Sequence, residues 1–385
     1  MIGSPNSGPG ERTRIALVRQ KYRVDGGGER IVSGMASILR QQGHQITLLT
    51  RQWASGEDSV IRCNPPRVGR VLREWLFARA VTRILRQQSF DLVQSHERIP
   101  GCQVYRAGDG VHREWLRQRK RTLSSWSRRW LESSPYHRYL QHAEKSLFEH
   151  RNLRLVICNS RMVMKEILNH FDIAADKLRL VYNGVDTQRF HPKLRELGRQ
   201  VREGLGIAQD ASLFVFVGSG FERKGLAQTL DALPHVPDTH LMVIGKDKAM
   251  SRFQHRIQRL GLSQRVHLLG VQHDVGPFYG AADALVLPTR YDPFPNVVME
   301  AMAAGLPVLT GNKCGAAELL REGTSGYVCD PLEQPALVQA MRRLADRKHA
   351  RQLGVAARQA IEPFTLTAMR NQLNQLYREL LAQRV

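Results

Sequence analysis

Short apolar runs rich in β-branched residues alternate along the chain with longer stretches in which apolar residues recur at helical spacing. This alternation is typical of parallel sheets covered by helices. A break near Phe190, His191 and Pro192 separates two such series. The sequence predicts strands at Arg14–Arg19, Gln45–Thr50, Asp91–His96, Cys102–Gly108, Leu153–Ser160, Leu178–Val185, Ser212–Ser219, His240–Gly245, Val266–Gly270, Ala284–Thr289, Pro307–Gly311 and Gly326–Asp330. We therefore expect an α/β protein with two doubly wound parallel sheets, one in each half of the chain.

The length of 385 residues agrees with two domains, because one hydrophobic core rarely extends over a chain of this size. Residues 1–12 are rich in Gly, Ser and Pro, and we expect them to form a disordered tail. An N-terminal Rossmann-like domain is expected over residues 13–188 and a C-terminal one over residues 189–363. A helix within residues 364–385 is expected to pack back on the first domain. Two domains imply a cleft between them.

Composition indicates a globular protein without a membrane span. Hydrophobic residues make up 42% of the chain and charged residues 24%, and no run of about 18 apolar residues occurs. The start of the chain lacks the apolar stretch of a signal peptide, so we expect a cytoplasmic protein. The widely spaced cysteines show no pairing typical of a zinc or redox site, and we expect reduced, packed thiols.

The excess of basic residues predicts an anionic partner. Lys and Arg number 57 against 35 Asp and Glu, which gives a formal net charge of +22. Nucleic acid, an anionic membrane face or phosphorylated substrates would each suffice. A nucleic-acid-binding protein is the weaker of these hypotheses, because no helix-turn-helix, zinc-finger or RNA-binding aromatic motif accompanies the charge.

Ligands of doubly wound sheets bind beyond the carboxyl ends of the strands, so the residues after each strand form the candidate site. Asp25–Arg30 follows the first strand with three glycines, which would let an anion approach a helix N-terminus or would form a plain tight turn. Val217–Gly225 carries Arg223 and Lys224 after a Gly turn. A guanidinium fork beside a compact ammonium suits a diphosphate, although a solvated basic turn is the equal alternative.

A third junction, Leu287–Val308, carries two carboxylates. Asp292 stands on a Pro-rich loop, and Glu300 lies in the early turns of a helix predicted to begin near Asn296. Carboxylates accept hydrogen bonds from hydroxyl-rich ligands, and the helix N-terminus beside them can hold phosphate. From the residues alone, a helix-capping Asp and a surface Glu remain the alternative.

This third junction resembles the motif of retaining glycosyltransferases of family 4, in which an acidic residue and a Glu are separated by seven residues. The family has the GT-B fold, which is two Rossmann-like domains facing a cleft. The likeness extends over most of the second half, through Tyr182–Asp186, the Gly turn with its two cations, and Gly305–Val308. In the first half, the chain resembles glucosyltransferases that build the inner core of lipopolysaccharide, at Lys21-Tyr22, Gly26-Gly27 and Val104–Asp109.

The resemblance implies a role for each matched position. Glu300 would hold the ribose hydroxyls of the nucleotide, and Asp292, where the family usually has Glu, would lie near the transferred sugar. Arg223 and Lys224 would neutralise the charge growing on the departing diphosphate. Asp109 would bind a hydroxyl of the donor sugar, with a structural turn Asp as the alternative. The remaining donor contacts would come from Gly26, Gly27, Gly218, Gly245, Val271, Phe294, Asn296 and Val297.

The resemblance also implies retention of anomeric configuration without a protein nucleophile. Cationic side chains would do the work of a metal ion, and the sequence contains no Asp-x-Asp site for one, so we expect neither a metal nor another cofactor. His96 stands at the end of the predicted strand Asp91–His96 and is expected to face the cleft by the strand-end rule. A simple loop histidine is the preferred interpretation for it.

The segment Val111–Leu131 combines basic residues with an aromatic stripe. Over residues 111–129, seven Lys and Arg residues stand against one acid, Glu114. Apolar residues recur there at roughly helical spacing, as Trp115, Leu116, Leu123, Trp126, Trp130 and Leu131. This pattern predicts a helix lying on the inner face of the cytoplasmic membrane, with packing of the tryptophans in the core as the alternative.

Together these features predict a monomeric hexosyltransferase. The expected reaction moves a hexose from a nucleotide-sugar, with UDP-sugar as the first choice, to a lipopolysaccharide core or a related glycolipid. The alternative within enzymes is a mannosyltransferase that uses GDP-mannose. A noncatalytic scaffold with a decayed transferase fold is disfavoured by the near-complete set of motifs.

Overall fold

The computed structural model describes residues 13–20, 34–37, 39–41, 43–52, 59–66 and 69–382. The expected tail over residues 1–12 lies outside this part of the chain. Lys21, Tyr22 and the glycine-rich junction with Gly26 and Gly27 lie outside it as well. The statements below concern the described residues.

The first half of the chain forms a seven-stranded sheet in which all pairings are parallel. Its strands are β1 (Arg14–Val18), β2 (Gln45–Thr50), β3 (Ser59–Arg62), β4 (Leu92–Ser95), β5 (Val104–Ala107), β6 (Leu155–Cys158) and β7 (Leu178–Leu180). They are arranged in the order β3-β2-β1-β4-β5-β6-β7. The order reverses direction beside β1, which places the carboxyl ends of β1 and β4 next to each other.

The second half forms a six-stranded sheet that is also parallel throughout. Its strands are β8 (Ser212–Val217), β9 (Thr239–Ile244), β10 (Val266–Gly270), β11 (Ala284–Leu287), β12 (Val308–Gly311) and β13 (Gly326–Cys329), in the order β10-β9-β8-β11-β12-β13. Its order reverses beside β8, so the ends of β8 and β11 are adjacent. The predicted pair of doubly wound sheets is confirmed.

The observed strands differ from the predicted ones in two places. The strand predicted over Leu178–Val185 ends at Leu180, because the following residues leave the sheet and cross to the second domain. The edge strand β3 was missed, since none of its side chains is fully buried and it therefore has no apolar run. Most of the other predicted strands agree with the structure to within two residues at each end.

Amphipathic helices cover both sheets, and residues 34–37 and 39–41 are also helical. Around the first sheet they are Arg70–Gln87, His112–Lys120, Ser125–Ser133, Pro135–Phe148 and Arg161–His170. The second domain contains Arg195–Gly204, Phe221–Lys224, Leu226–Ala232, Met250–Arg259, Gly276–Ala281, Asn296–Ala303, Gln334–Ala345 and Arg347–Ile361, and the last helix is Leu366–Ala382. No helix among the described residues of either domain is long and apolar enough to cross a membrane.

The last helix returns to the first sheet. Its apolar face joins the core cluster that contains Ile15 of β1 and Leu48 of β2, through Met369, Leu373, Leu376, Tyr377 and Leu380. The two segments that cross between the domains lie side by side, because the Val185 N–H donates to the Phe364 carbonyl at 2.9 Å and the Leu366 N–H donates to the Val185 carbonyl at 3.3 Å. The domain limits expected at residues 188 and 363 stay a prediction.

The cysteines are free thiols in this structure. Cys63, Cys102, Cys158 and Cys314 are buried, and Cys329 is half-buried. Burial raises the pKa of Cys63 to about 11, so this thiol is protonated near neutral pH.

Candidate active site

A cavity of about 630 Å³ lies where residues following the strands of both sheets meet. The first domain contributes residues after β1, β4 and β5, namely Arg19, His96 and Asp109. The second domain contributes Arg223, Lys224, Asp292, Phe294, Asn296, Val297 and Glu300. The structure thus brings most of the predicted site residues into one space between the domains.

A tight glycine turn positions the two cations of the second domain. After β8, Gly218 and Gly220 have positive φ angles of 144° and 75°. A Cβ atom on Gly218 would lie 2.5 Å from Cε of Lys224, so this glycine makes room for the lysine side chain. Gly225 ends the turn with φ at 85°, and a Cβ atom there would lie 2.0 Å from the Pro288 carbonyl oxygen. The turn is therefore packed directly on the loop that follows β11.

Asp292 binds both cations through one carboxylate oxygen. Its Oδ2 accepts a hydrogen bond from Nη1 of Arg223 at 2.8 Å and from Nζ of Lys224 at 3.1 Å. Burial alone would raise the pKa of Asp292, but the charges and hydrogen bonds of Lys224 and Arg223 hold it below its usual value. The three groups together carry one net positive charge toward the cavity, and Asp292 fixes the positions of the two cations.

The helix Asn296–Ala303 points its N-terminus into the same cavity. Pro295 precedes it, and no side chain caps the helix start by a hydrogen bond. Asn296, Val297 and the buried Phe294 line the cavity there. An uncapped helix start presents free N–H groups and the positive end of the helix dipole, which is a favourable place for phosphate.

Glu300 lies one turn into this helix and is buried in the cavity wall. Its Oε2 accepts a hydrogen bond at 3.0 Å from the hydroxyl of Tyr279, a fully buried residue. The carboxylate is thereby held in one orientation. A carboxylate in this position can accept hydrogen bonds from ligand hydroxyls.

Loops of the two domains touch beside Asp109, which is exposed at the cavity. The Val111 N–H donates to the Tyr291 hydroxyl at 2.8 Å, and this hydroxyl donates to Oε2 of Glu166 at 2.8 Å. Because Tyr291 immediately precedes Asp292, these bonds join the loop bearing Asp109 to the loop bearing Asp292. The two predicted acidic positions come together from separate domains.

His96 is a buried residue of the cavity wall. Its Nε2 lies 3.0 Å from Nε2 of Gln94, while Oε1 of Gln94 accepts a hydrogen bond from the Tyr377 hydroxyl. The amide nitrogen of Gln94 therefore donates to His96, which places the imidazole proton on Nδ1. Burial and the nearby charges of Arg106 and Arg19 lower the pKa of His96 well below its usual value, so the ring is neutral.

Other predicted donor contacts lie at the margin of the cavity. Gly218 adjoins the cavity-lining Val217, and a Cβ atom on Gly245 would lie 2.0 Å from the Gly218 carbonyl oxygen. Val271 is 56% exposed and is not part of the cavity wall, whereas its neighbours Gln272 and His273 are. Gly26 and Gly27 lie outside the described residues.

The prediction of a single helix over Val111–Leu131 was wrong, while the contact of this segment with a membrane stays a prediction. The segment forms two helices, His112–Lys120 and Ser125–Ser133, and the side chain of Ser124 caps the second by accepting from the Ser127 N–H. Acids outside the segment pair with two of its cations, because Lys120 reaches Glu132 at 2.5 Å and Arg121 reaches Asp330 at 2.7 Å.

The tryptophans of this segment divide between two environments. The ring of Trp115 is half-buried and lies 6.4 Å from that of Tyr291, at the contact between the domains. Trp126 and Trp130 are 70% and 62% exposed, and their rings meet edge to face at 5.7 Å. Only the second helix therefore presents aromatic surface to the outside.

Sequence reasoning missed Arg106 and Asn183, which also line the cavity. Arg106 stands inside the otherwise apolar strand β5 and is 3% exposed. A charged residue within a buried strand was the available signal. Among the described residues, no group of three His, Cys, Asp or Glu side chains is placed to hold a metal ion.

Two parallel-sheet domains whose strand ends meet at a shared cationic cleft define the GT-B architecture of glycosyltransferases. The family described as "Glycosyltransferase Family 4" matches residues 25–189, and "Glycosyl transferases group 1" matches residues 199–360. Together these matches span most of the chain. The protein belongs to the family 4 glycosyltransferases and is an enzyme of that class.

Relatives and solved structures agree with this assignment. The lipopolysaccharide glucosyltransferase WaaG of Escherichia coli (strain K12) is 27% identical over 346 residues, which is 86% of this chain and 88% of that protein. The lipopolysaccharide core biosynthesis glycosyltransferase LpsE of Rhizobium meliloti is 28% identical over 55% of this chain and 62% of its own length.

Solved structures share the fold. The crystal structure of WaaG superimposes with a TM-score of 0.81 at 24% identity, over 94% of this chain and 99% of that one. The Anabaena protein HepE, in complex with UDP and glucose, has a TM-score of 0.71 at 19% identity, over 95% and 100% of the two chains. These likenesses confirm the GT-B fold.

Proposed function

We propose that this enzyme transfers a hexose from a UDP-sugar to a lipopolysaccharide core or a related glycolipid, with retention of anomeric configuration. The observation that carries the proposal is the group formed by Arg223, Lys224 and Asp292 beside the uncapped start of the helix Asn296–Ala303. This arrangement suits a diphosphate. The names of two relatives, both lipopolysaccharide glycosyltransferases, and the UDP and glucose in the HepE complex support the choice of donor and acceptor.

In the proposed reaction, the bond between the sugar C1 and the diphosphate oxygen breaks as a bond from C1 to the acceptor oxygen forms. The departing oxygen gains negative charge, which Arg223 and Lys224 stabilise because Asp292 already holds them in place. The acceptor hydroxyl gives its proton to the departing diphosphate on the same face of the sugar. The exposed Asp109 would bind a hydroxyl of the transferred hexose.

GDP-mannose is the alternative donor. Nothing in the residues after β9 and β10 separates uracil from guanine, because the positions expected near the base, Gly245 and Val271, would offer backbone contacts. A screen of UDP- and GDP-sugars against lipopolysaccharide acceptors truncated at each core position tests the proposal. We expect transfer from one UDP-hexose to one acceptor, and transfer from GDP-mannose alone would contradict the choice of donor.

Replacing Glu300 with Gln should raise the donor KM about tenfold with a smaller change in kcat. A ribose contact exists in both the bound substrate and the transition state, so its loss weakens binding more than chemistry. Steady-state kinetics with varied donor concentration measure both constants. The exposed helix residue Glu196 provides the control Glu196→Gln, which should match the wild type. An unchanged donor KM with lost turnover would instead assign Glu300 a catalytic role.

Activity should survive EDTA. We propose that Arg223, Lys224 and the helix start face the diphosphate and supply the positive charge that a metal ion supplies in other transferases. Turnover after EDTA treatment and gel filtration, measured with and without added Mg²⁺ or Mn²⁺, checks this. Activity that disappears with EDTA and returns with either ion would contradict the proposal.

We further propose that the enzyme works as a monomer on the cytoplasmic face of the inner membrane, docked through the helix Ser125–Ser133. Trp126 and Trp130 are its exposed aromatic residues, with Arg129 and Arg138 beside them. Tryptophan favours the headgroup boundary, and basic residues are attracted to anionic lipids. The pairing of Arg121 and Lys120 with acids makes these two cations less available to lipid than the sequence indicated.

Replacing both Trp126 and Trp130 with Ser should weaken binding to anionic vesicles at least about tenfold. Each indole ring that enters the lipid interface contributes to the free energy of membrane binding. Hydrolysis of the free donor should be unchanged. Vesicle flotation at physiological salt measures the binding. Val355 is 61% exposed on the second domain, and Val355→Ser is the matched control. Equal flotation of the double variant and the wild type would show that this surface does not dock.

A further inference from the structure

A chain of hydrogen bonds connects the first sheet to the start of the donor-side helix. Arg106 on β5 donates from Nη2 to Oδ1 of Asn183 at 2.8 Å. Asn183, on the segment that crosses between the domains, donates from Nδ2 to Oδ1 of Asn296 at 2.8 Å. All three residues line the cavity. Arg106 is thereby directed toward the end of the cavity at which the helix Asn296–Ala303 begins.

Within the part of the chain that the structure describes, Arg106 has no acid to balance its charge. Among the described residues, no carboxylate lies within ion-pair distance of it, and its Nη1 is buried without a hydrogen-bond partner. Other cations of the cavity have such partners, since Arg189 reaches Asp274 at 3.1 Å and Arg223 and Lys224 share Asp292. A buried guanidinium is normally paired, because desolvating an unpaired charge is costly.

The titratable groups packed around Arg106 are uncharged near neutral pH. Burial raises the pKa of the Cys158 thiol on β6 to about 12 and raises that of Tyr377 on the last helix further. His96, which follows the neighbouring strand β4, is neutral, because its Nε2 accepts a hydrogen bond from the Gln94 amide. No group of the described chain therefore supplies the negative charge that Arg106 lacks.

We propose that Arg106 binds a phosphoryl oxygen of the substrate and acts as a third cation of the transfer site, contributed by the first domain. This inference rests on the proposed function. Nη1 of Arg106 would donate the hydrogen bond to the phosphoryl oxygen, while Nη2 keeps its hydrogen bond to Asn183. Two sources of phosphate fit this chemistry, the diphosphate of the donor and a phosphate ester on the acceptor. The link to Asn296, at the start of the helix, favours the donor.

The test compares Arg106→Met with Arg202→Met, which removes another buried arginine. Arg202 pairs with Asp283 at 2.8 Å and lies outside the cavity wall. We expect Arg106→Met to melt no lower than the wild type, because it removes an unbalanced charge, and Arg202→Met to melt lower. Calorimetry should show UDP binding about 10- to 100-fold weaker in Arg106→Met, with the binding of uridine unchanged. Arg106→Lys, which keeps the charge, should retain part of the UDP affinity.

Different outcomes identify the source of the phosphate or overturn the proposal. An unchanged UDP affinity with a raised KM for a phosphorylated acceptor, but not for its dephosphorylated form, would assign the contact to the acceptor. Wild-type affinity for UDP and for both acceptors in Arg106→Met would overturn the proposal, as would lower melting temperatures of both Arg106 variants with unchanged UDP affinity. A wild-type enzyme that binds neither UDP nor GDP would instead contradict the proposed function itself.

Discussion

Lys224→Ala should lower turnover by about a hundredfold or more, the range expected when one preorganised charge stabiliser is removed. The side chain of Lys224 is buried and its Nζ is fixed by Asp292 before substrate binds, so the charge needs no rearrangement during the reaction. Arg223→Ala should have a similar effect, because the two cations share the same carboxylate oxygen. Single-turnover measurements with saturating donor give the rate directly.

Folding should be little affected by either change, since Asp292 keeps one of its two cations. Lys165 is an exposed lysine on the helix Arg161–His170, and Lys165→Ala serves as the control with wild-type turnover. A thermal melt of each variant separates loss of catalysis from loss of structure. Wild-type turnover in Lys224→Ala would show that the basic turn does not act on the departing diphosphate.

Gly225→Ala should destabilise the second domain by roughly 2–5 kcal/mol and reduce turnover with it. Its φ angle of 85° disfavours any side chain, and the added Cβ atom would lie 2.0 Å from the Pro288 carbonyl oxygen. Relieving this clash requires the basic turn to move away from the loop after β11, and Lys224 moves with the turn. Denaturant titration and turnover measure the two effects.

Gly220 offers a matched control in the same turn. Its φ angle of 75° is similarly unfavourable for Ala, yet a Cβ atom there would meet no atom within 4 Å. Gly220→Ala should therefore cost only about 1–2 kcal/mol, from the backbone conformation alone. Equal losses in the two variants would mean that the packing of Gly225 on Pro288 contributes nothing to the stability of the turn.

The sequence predicted the features that depend on local pattern. Both sheets and most strand limits follow from buried apolar runs, and the placement of Asp292 and Glu300 near each other follows from their position after β11. The parallel arrangement then brings the strand ends together, so residues after β5 and β8 also reach the same cavity.

Features that depend on contacts between distant residues were not predictable. The pairing of Asp292 with Arg223 and Lys224 spans nearly seventy positions, and no local pattern encodes it. The Trp residues of Val111–Leu131 show the same limit. Trp115 and Trp126 share one amphipathic pattern, but only the contact of Trp115 with Tyr291 determines that it faces the other domain.

The most direct test of the account follows one reaction by nuclear magnetic resonance. Purified enzyme is mixed with a UDP-hexose and a truncated lipopolysaccharide core acceptor, and the anomeric proton of the transferred sugar is observed together with the release of UDP. We expect UDP and glycosylated acceptor to form in equal amounts, and we expect the new linkage to keep the anomeric configuration of the donor. Transfer with inverted configuration would contradict this expectation. A folded enzyme that is active with GDP-mannose but transfers sugar from no UDP-hexose would contradict it as well.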